Sequence, residues 1–152
     1  MDGIAPESAI LRDLHAYWKR LCGPDRLPSR ADIDPIDLGP ALPHIVLLDV
    51  LGGSDDFVYR LVGTHVVGAA GFDFTGWTVS GFFANMVDDG RIEEYALTVA
   101  DQRPRYGRYR MIEQERSHFF YERLIMPLAA DGRNVDMLFC GFHFRPVDPA
   151  QI

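Results

Sequence analysis

The stretch from Phe57 to Phe83, FVYRLVGTHVVGAAGFDFTGWTVSGFF, leaves this chain few folding options. Phe57, Tyr59 and Leu61 alternate with Val58, Arg60 and Val62, the period-2 pattern of a strand whose two faces differ. Gly63 ends that strand. Thr64 is positioned to cap one helical turn over His65–Ala70, because its hydroxyl can accept an orphan backbone N–H. Gly71 stops the turn, since a left-handed backbone carries no steric cost at glycine. Phe72-Asp73-Phe74-Thr75-Gly76-Trp77 is aromatic but broken by glycine, so it cannot continue as a long helix. Its rings must be buried by folding over something, and the adjacent sheet is the available surface. The stretch therefore predicts a small α+β domain with a pocket beneath an aromatic cap.

The rest of the chain supplies the other elements. Leu11, Leu14, Trp18 and Leu21 recur at helical spacing, which predicts a helix over Pro6–Leu21 that stops at Gly23-Pro24. Pro28, Pro35, Pro40 and Pro43 forbid a long helix or central strand in the connector that follows. One turn around Ile33–Leu38, with Asp32 as its cap, is compatible with them. His44–Leu51 is nearly continuous in apolar residues, as a strand covered on both faces should be. Gly52–Asp56 is a hairpin loop into Phe57–Val62. A second long helix is predicted over Val87–Arg103, ended by Pro104. Strands at Arg105–Ile112, His118–Leu128 and Asn134–Phe144 complete the chain, the last two joined through Asp131-Gly132. The expected division is an N-terminal helix (1–25), one domain (26–146) and a short tail (147–152).

This order of two strands, a helical crossover and three strands resembles the PAS sensor fold. The segments LPSRADIDPIDLGPALPHIVLLDV (27–50), FVYRLVGTHV (57–66), GFDFTGW (71–77) and RLIMPLAADG (123–132) are similar to a bacterial family of compact, stand-alone PAS-domain proteins. That resemblance implies a five-stranded antiparallel sheet with helices on one face, preceded by an amphipathic helix. It also implies a non-enzymatic sensory or regulatory role, through a small-molecule ligand or a signalling partner, with no cofactor specified. PAS domains that bind haem carry a proximal histidine on the helix before the third strand, and photoreceptor relatives a reactive cysteine in that region. Val87–Arg103 has neither.

Composition narrows the partners. The chain has 152 residues, of which 47% are hydrophobic, enough for one core. A net charge of −7 disfavours sequence-independent nucleic-acid binding. No apolar run approaches the roughly 20 residues of a membrane span, and the N-terminus lacks the pattern of a signal peptide. A cytoplasmic protein without membrane contact is expected. Cys22 and Cys140 lack metal-ligand spacing and read as reduced thiols. The five histidines show no i, i+4 pair, so no metal site is expected.

Strand alternation then gives candidate functional residues. Tyr59 and Leu61, then Leu124, Met126 and Leu128, then Leu138, Cys140 and Phe142 are expected to face the helices. The candidate ligand set is Tyr59, Leu61, His65, Phe72, Trp77, Phe83, Arg110, Leu124, Cys140 and Phe142. In it Arg110, or alternatively Arg60, would point inward to hold an anion bidentately. Tyr121, Arg123, Ile125, Met137 and Phe139 are expected on the other face, whose apolar members are too many to leave to water. The N-terminal helix would cover them, on its own sheet or on that of a second copy. A homodimer with Leu11, Leu14, Trp18, Leu21, Ile125 and Phe139 at its interface is the expected assembly. A second class remains open: a small cone-shaped α+β enzyme using Asp49 with Tyr59 or Tyr121 for acid–base work.

Overall fold

The computed structural model describes residues 3–84, 92–113 and 117–146. Among the described residues, five helices, α1 (Ala9–Leu21), α2 (Pro35–Leu38), α3 (Thr64–Ala70), α4 (Val79–Phe82) and α5 (Glu93–Asp101), accompany five strands. The strands are β1 (Ile45–Leu51), β2 (Asp56–Val62), β3 (Arg105–Glu113), β4 (Ser117–Leu128) and β5 (Met137–Pro146). They form one sheet in the order β2-β1-β5-β4-β3, with every pairing antiparallel. The expected five-stranded sheet is present. Residues 87–91 of the predicted long helix, and the tail 147–152, lie outside the described residues.

Local chemistry sets the element ends. Ser8 caps α1 through its side chain, accepting the Leu11 N–H, so that helix starts three residues later than its pattern suggested. Asp34 caps α2, with Pro35 at its first turn, whereas Asp32 closes a reciprocal cap with Ser29 over a separate 3-10 turn. The expected Asp32 cap is therefore displaced by two residues. Gly71 takes the left-handed conformation foreseen for it, at φ 87°. At the hairpin before β5, the Asp131 carboxylate accepts the N–H groups of Arg133 and Asn134. Those bonds prolong the turn, and β5 begins at Met137 rather than Asn134.

Each face of the sheet carries its own core. On one side α3, α4, α5 and the aromatic segment cover Val46, Leu48, Phe57, Tyr59, Tyr121, Ile125, Leu138, Cys140 and Phe142. On the other, α1 and the proline-rich connector cover Ile45, Leu47, Leu124, Met126, Leu128 and Phe139. Gly141 explains why α1 lies so close. A Cβ there would stand 2.6 Å from Leu11 Cδ2 and 2.8 Å from Leu14 Cδ1, so glycine lets the helix rest on the backbone of β5. The Trp18 indole N–H donates to the Pro127 carbonyl at 2.9 Å, anchoring the helix to β4 as well.

Three expectations change as a result. Leu11, Leu14, Trp18 and Phe139 are buried within the one chain, with Leu21 packed against them, so they are core and not interface residues. Leu61 parts company with Tyr59 because the β1–β2 register shifts between Leu47 and Leu48, leaving Arg60 in a bulge. Leu61 therefore joins the α1 side. Finally, β4 is turned over relative to the expected assignment. Leu124, Met126 and Leu128 face α1, while Tyr121, Arg123 and Ile125 face α5, and Ile125 is thus no outward contact. Pairing of Ile125 with Cys140 and of Met126 with Phe139 holds that register.

Candidate functional site

The aromatic cap forms as predicted, and its rings pack directly on one another and on the sheet. Tyr59 meets Phe74 edge-on at 4.6 Å and Phe82 at 5.8 Å, and Phe74 and Phe82 lie 4.6 Å apart. Phe57 packs on Tyr95 of α5 at 5.6 Å. These rings occupy the space between sheet and helices. Trp77 stays 47% exposed and Phe72 43% exposed, with their rings 5.4 Å apart on the outer surface of the cap. The antiparallel bridge between Val58 and Thr78 ties this segment to the free edge of β2. Two grooves do open elsewhere. One of about 300 Å³ lies between α1 and the connector, and one of about 430 Å³ lies between Cys22, Arg26, Gln102 and Arg133.

Of the candidate ligand residues, Tyr59, Phe83, Cys140 and Phe142 share the helical face. Leu61 and Leu124 lie on the opposite face. Arg110 is exposed, its guanidinium 5.9 Å above the Phe120 ring. Arg60 is exposed too and pairs with Asp49 at 2.8 Å. Among the described residues, the buried arginine is Arg123. It is 2% exposed, forms an ion pair with Glu94, donates to Tyr109 Oη at 3.1 Å, and stacks over Tyr95 and Tyr109 at 4.8 and 4.9 Å. Tyr109 in turn donates to Glu94. Burial, reinforced by the hydrogen bond and charge of Glu94, pushes the Tyr109 phenol up to about 12. Burial likewise raises Tyr59 and Tyr95, and takes the Cys140 thiol up to about 12. Proton transfer from these groups near neutral pH is strongly disfavoured. Asp49 projects from the face opposite Tyr59 and Tyr121, so the acid–base constellation considered for an enzyme is not assembled.

Sequence reasoning missed Arg123, Glu94, Tyr95 and Tyr109 as one centre. The available signal was the pair Glu122-Arg123 inside an otherwise apolar strand, where adjacent positions face opposite ways. Both side chains are buried, Glu122 at 1% exposure. On the α1 side, one Glu122 carboxylate oxygen accepts the N–H groups of Glu7 and Ser8 and the Tyr106 hydroxyl at 2.8, 3.0 and 2.6 Å. Burial pushes its carboxyl up, but these hydrogen bonds outweigh that and hold it below the usual carboxylate range.

A third polar centre sits where β1 begins. His44, His65 and His143 converge there, with ring centroids 4.0 Å (44–65), 5.4 Å (44–143) and 5.8 Å (65–143) apart. His44 Nδ1 lies 2.9 Å from the Phe142 carbonyl, and His65 Nε2 accepts the Phe144 N–H at 3.0 Å. His65 therefore belongs to this edge cluster rather than to the space under the cap. Among the described residues, no three His, Cys, Asp or Glu side chains are arranged to hold a metal ion. No described helix is long and apolar enough to cross a membrane.

Comparison with known proteins agrees with this architecture. No curated protein matches the chain. Among solved structures it is similar to an RNA-binding Light-Oxygen-Voltage receptor, with a TM-score of 0.51 and 15% identity over 97% of this chain. The chain spans only 36% of that receptor's length. It is also similar to the Rhodobacter sphaeroides LOV protein (TM-score 0.52, 8% identity, 88% of this chain and 67% of that one). A fungal LOV domain photoreceptor matches with TM-score 0.50 and 16% identity over 88% of both chains. At such identities the likeness is one of fold. A family model described as PAS domain matches residues 7–142, from the cap of α1 to the core of β5, and on that match the chain belongs to the PAS domain family.

Proposed function

We propose that this PAS domain is a non-enzymatic signalling module that works by protein contact at its aromatic cap, and that its partner there is a second copy of the chain. One observation carries the reading: Phe72 and Trp77 are 43% and 47% exposed, with Phe72 packed on Phe74 and Phe82 and Trp77 on Phe72. Exposed tryptophan and phenylalanine on a fixed support are what interface hot spots are made of. Close packing between the sheet and the helices supports the same reading, because Phe57 and Tyr95, Tyr59 and Phe74, and the Arg123–Glu94 pair meet there directly. On the other face, α1 already covers the sheet within the chain.

Light scattering and native mass spectrometry of the purified protein test this together. The expected result is a dimer of the 17.2 kDa chain without a bound small molecule. Trp77→Ala should weaken self-association at least ~30-fold, as a hot-spot truncation costing about 2 kcal/mol would, while leaving the fold intact. A monomeric wild type, a dimer indifferent to Phe72→Ala and Trp77→Ala, or a co-purified molecule in the interior would overturn it.

A further inference from the structure

We propose that His44 and His65 form an acid-sensitive latch that ties α3 to the free edge of β5, with His65 as the group whose protonation opens it. The argument starts from the sheet. β1 begins at Ile45, which pairs with Gly141, so β5 runs on past Gly141 without a strand on that side. On its other side β5 remains paired with β4 as far as Pro146. The unpaired backbone groups of the exposed edge would need partners, and the two imidazoles supply them. His44 Nδ1 lies 2.9 Å from the Phe142 carbonyl, which can only accept. The Phe144 N–H, which can only donate, lies 3.0 Å from His65 Nε2. His44 Nδ1 must therefore carry a proton and His65 Nε2 must not.

That asymmetry makes the switch. Protonating His44 leaves its bond to Phe142 intact, because Nδ1 is a donor in either state. Protonating His65 removes the only lone pair facing Phe144 and sets two N–H groups against each other. It also places a positive charge on a ring 4.0 Å from that of His44 and 5.8 Å from that of His143. The charged groups beside the cluster include Glu122, across from His143 on β4, and Arg145, which follows on β5 and bonds to Glu7 at 3.1 Å. Burial, with His44 and His143 adding to it, holds the His65 imidazolium down at about 4. His143 is held below its ordinary value by burial and His44, with Glu122 opposing. A folded value below the unfolded ~6.5 means the stabilisation is complete above about pH 6.5. It is lost as pH falls through the folded value near 4. The bent chain after α3 leads through Gly71 directly into Phe72, so release of α3 would move the cap. The latch itself holds whether or not the cap is the contact surface.

Amide exchange measured by NMR on the full chain from pH 7.5 to 4 tests this. Protection of Phe144, Val67 and Gly71, corrected for intrinsic exchange, should fall at least ~10-fold across the window in the wild type. His65→Gln keeps an acceptor that does not titrate, and should keep those amides protected over the same range. An unchanged acid response in His65→Gln overturns the proposal, as does wild-type protection that stays constant to pH 4. Should the variant fail to fold, the imidazole nitrogen shifts of the wild type decide. Nε2 unprotonated at neutral pH with a depressed titration supports the latch, and an ordinary titration near 6.5 overturns it.

Discussion

Replacing Arg123 by alanine is expected to lower the unfolding free energy by about 2–5 kcal/mol, the range for truncating a large buried side chain to alanine. The guanidinium is 2% exposed and is held between two tyrosine rings, Tyr95 and Tyr109, while bonded to Glu94. Its loss leaves a cavity beneath α5 and removes the group that fixes that helix to β4. Glu94 is about one-third exposed and can turn to water, so the cost comes more from the emptied space than from an abandoned carboxylate. Glu94→Gln should therefore cost less than Arg123→Ala. Urea unfolding of the two single variants and the double variant measures the coupling directly. A loss below 1 kcal/mol for Arg123→Ala would show that the centre holds nothing together.

Deleting residues 1–23 should abolish soluble expression. Leu11, Leu14, Tyr17 and Trp18 are each at most 7% exposed on the face formed by Leu47, Leu124, Met126, Leu128 and Phe139. At about 1.5–3 kcal/mol for each large apolar side chain, their burial is worth roughly 6–12 kcal/mol before entropy, comparable with the ~5–15 kcal/mol total stability of a domain. The same effect should appear in the full-length chain on Gly141→Leu. There the new side chain takes the space that Leu11 and Leu14 fill, at contacts of 2.6 and 2.8 Å. Soluble fraction and dye binding to exposed apolar surface report the outcome. A truncated protein that stays soluble and melts cooperatively at the parental temperature would contradict the account.

The amino-acid sequence by itself determined the elements and their order. Strand alternation, the Asp-Gly hairpin, the glycine stop at Gly71 and the proline punctuation are local effects, and each acts within a few residues. They were enough to read a five-stranded sheet, an amphipathic first helix and an aromatic cap, and the resemblance to the PAS fold followed. What only the tertiary structure decided was which faces meet. Glu122 and Arg123 are adjacent and both buried, so period-2 logic had no solvated side from which to orient β4. A single bulge at Arg60 was enough to separate Leu61 from Tyr59. The close seat of the first helix on its own sheet depends on the missing methyl group at Gly141, where a Cβ would crowd Leu11 and Leu14. Likewise His44, His65 and His143 share no sequence spacing and meet only because β1 stops short of the end of β5. Periodicity fixes a side chain's direction relative to its own backbone. Contact between elements depends on register, on packing distance and on where neighbouring strands end, which are set by the chain as a whole.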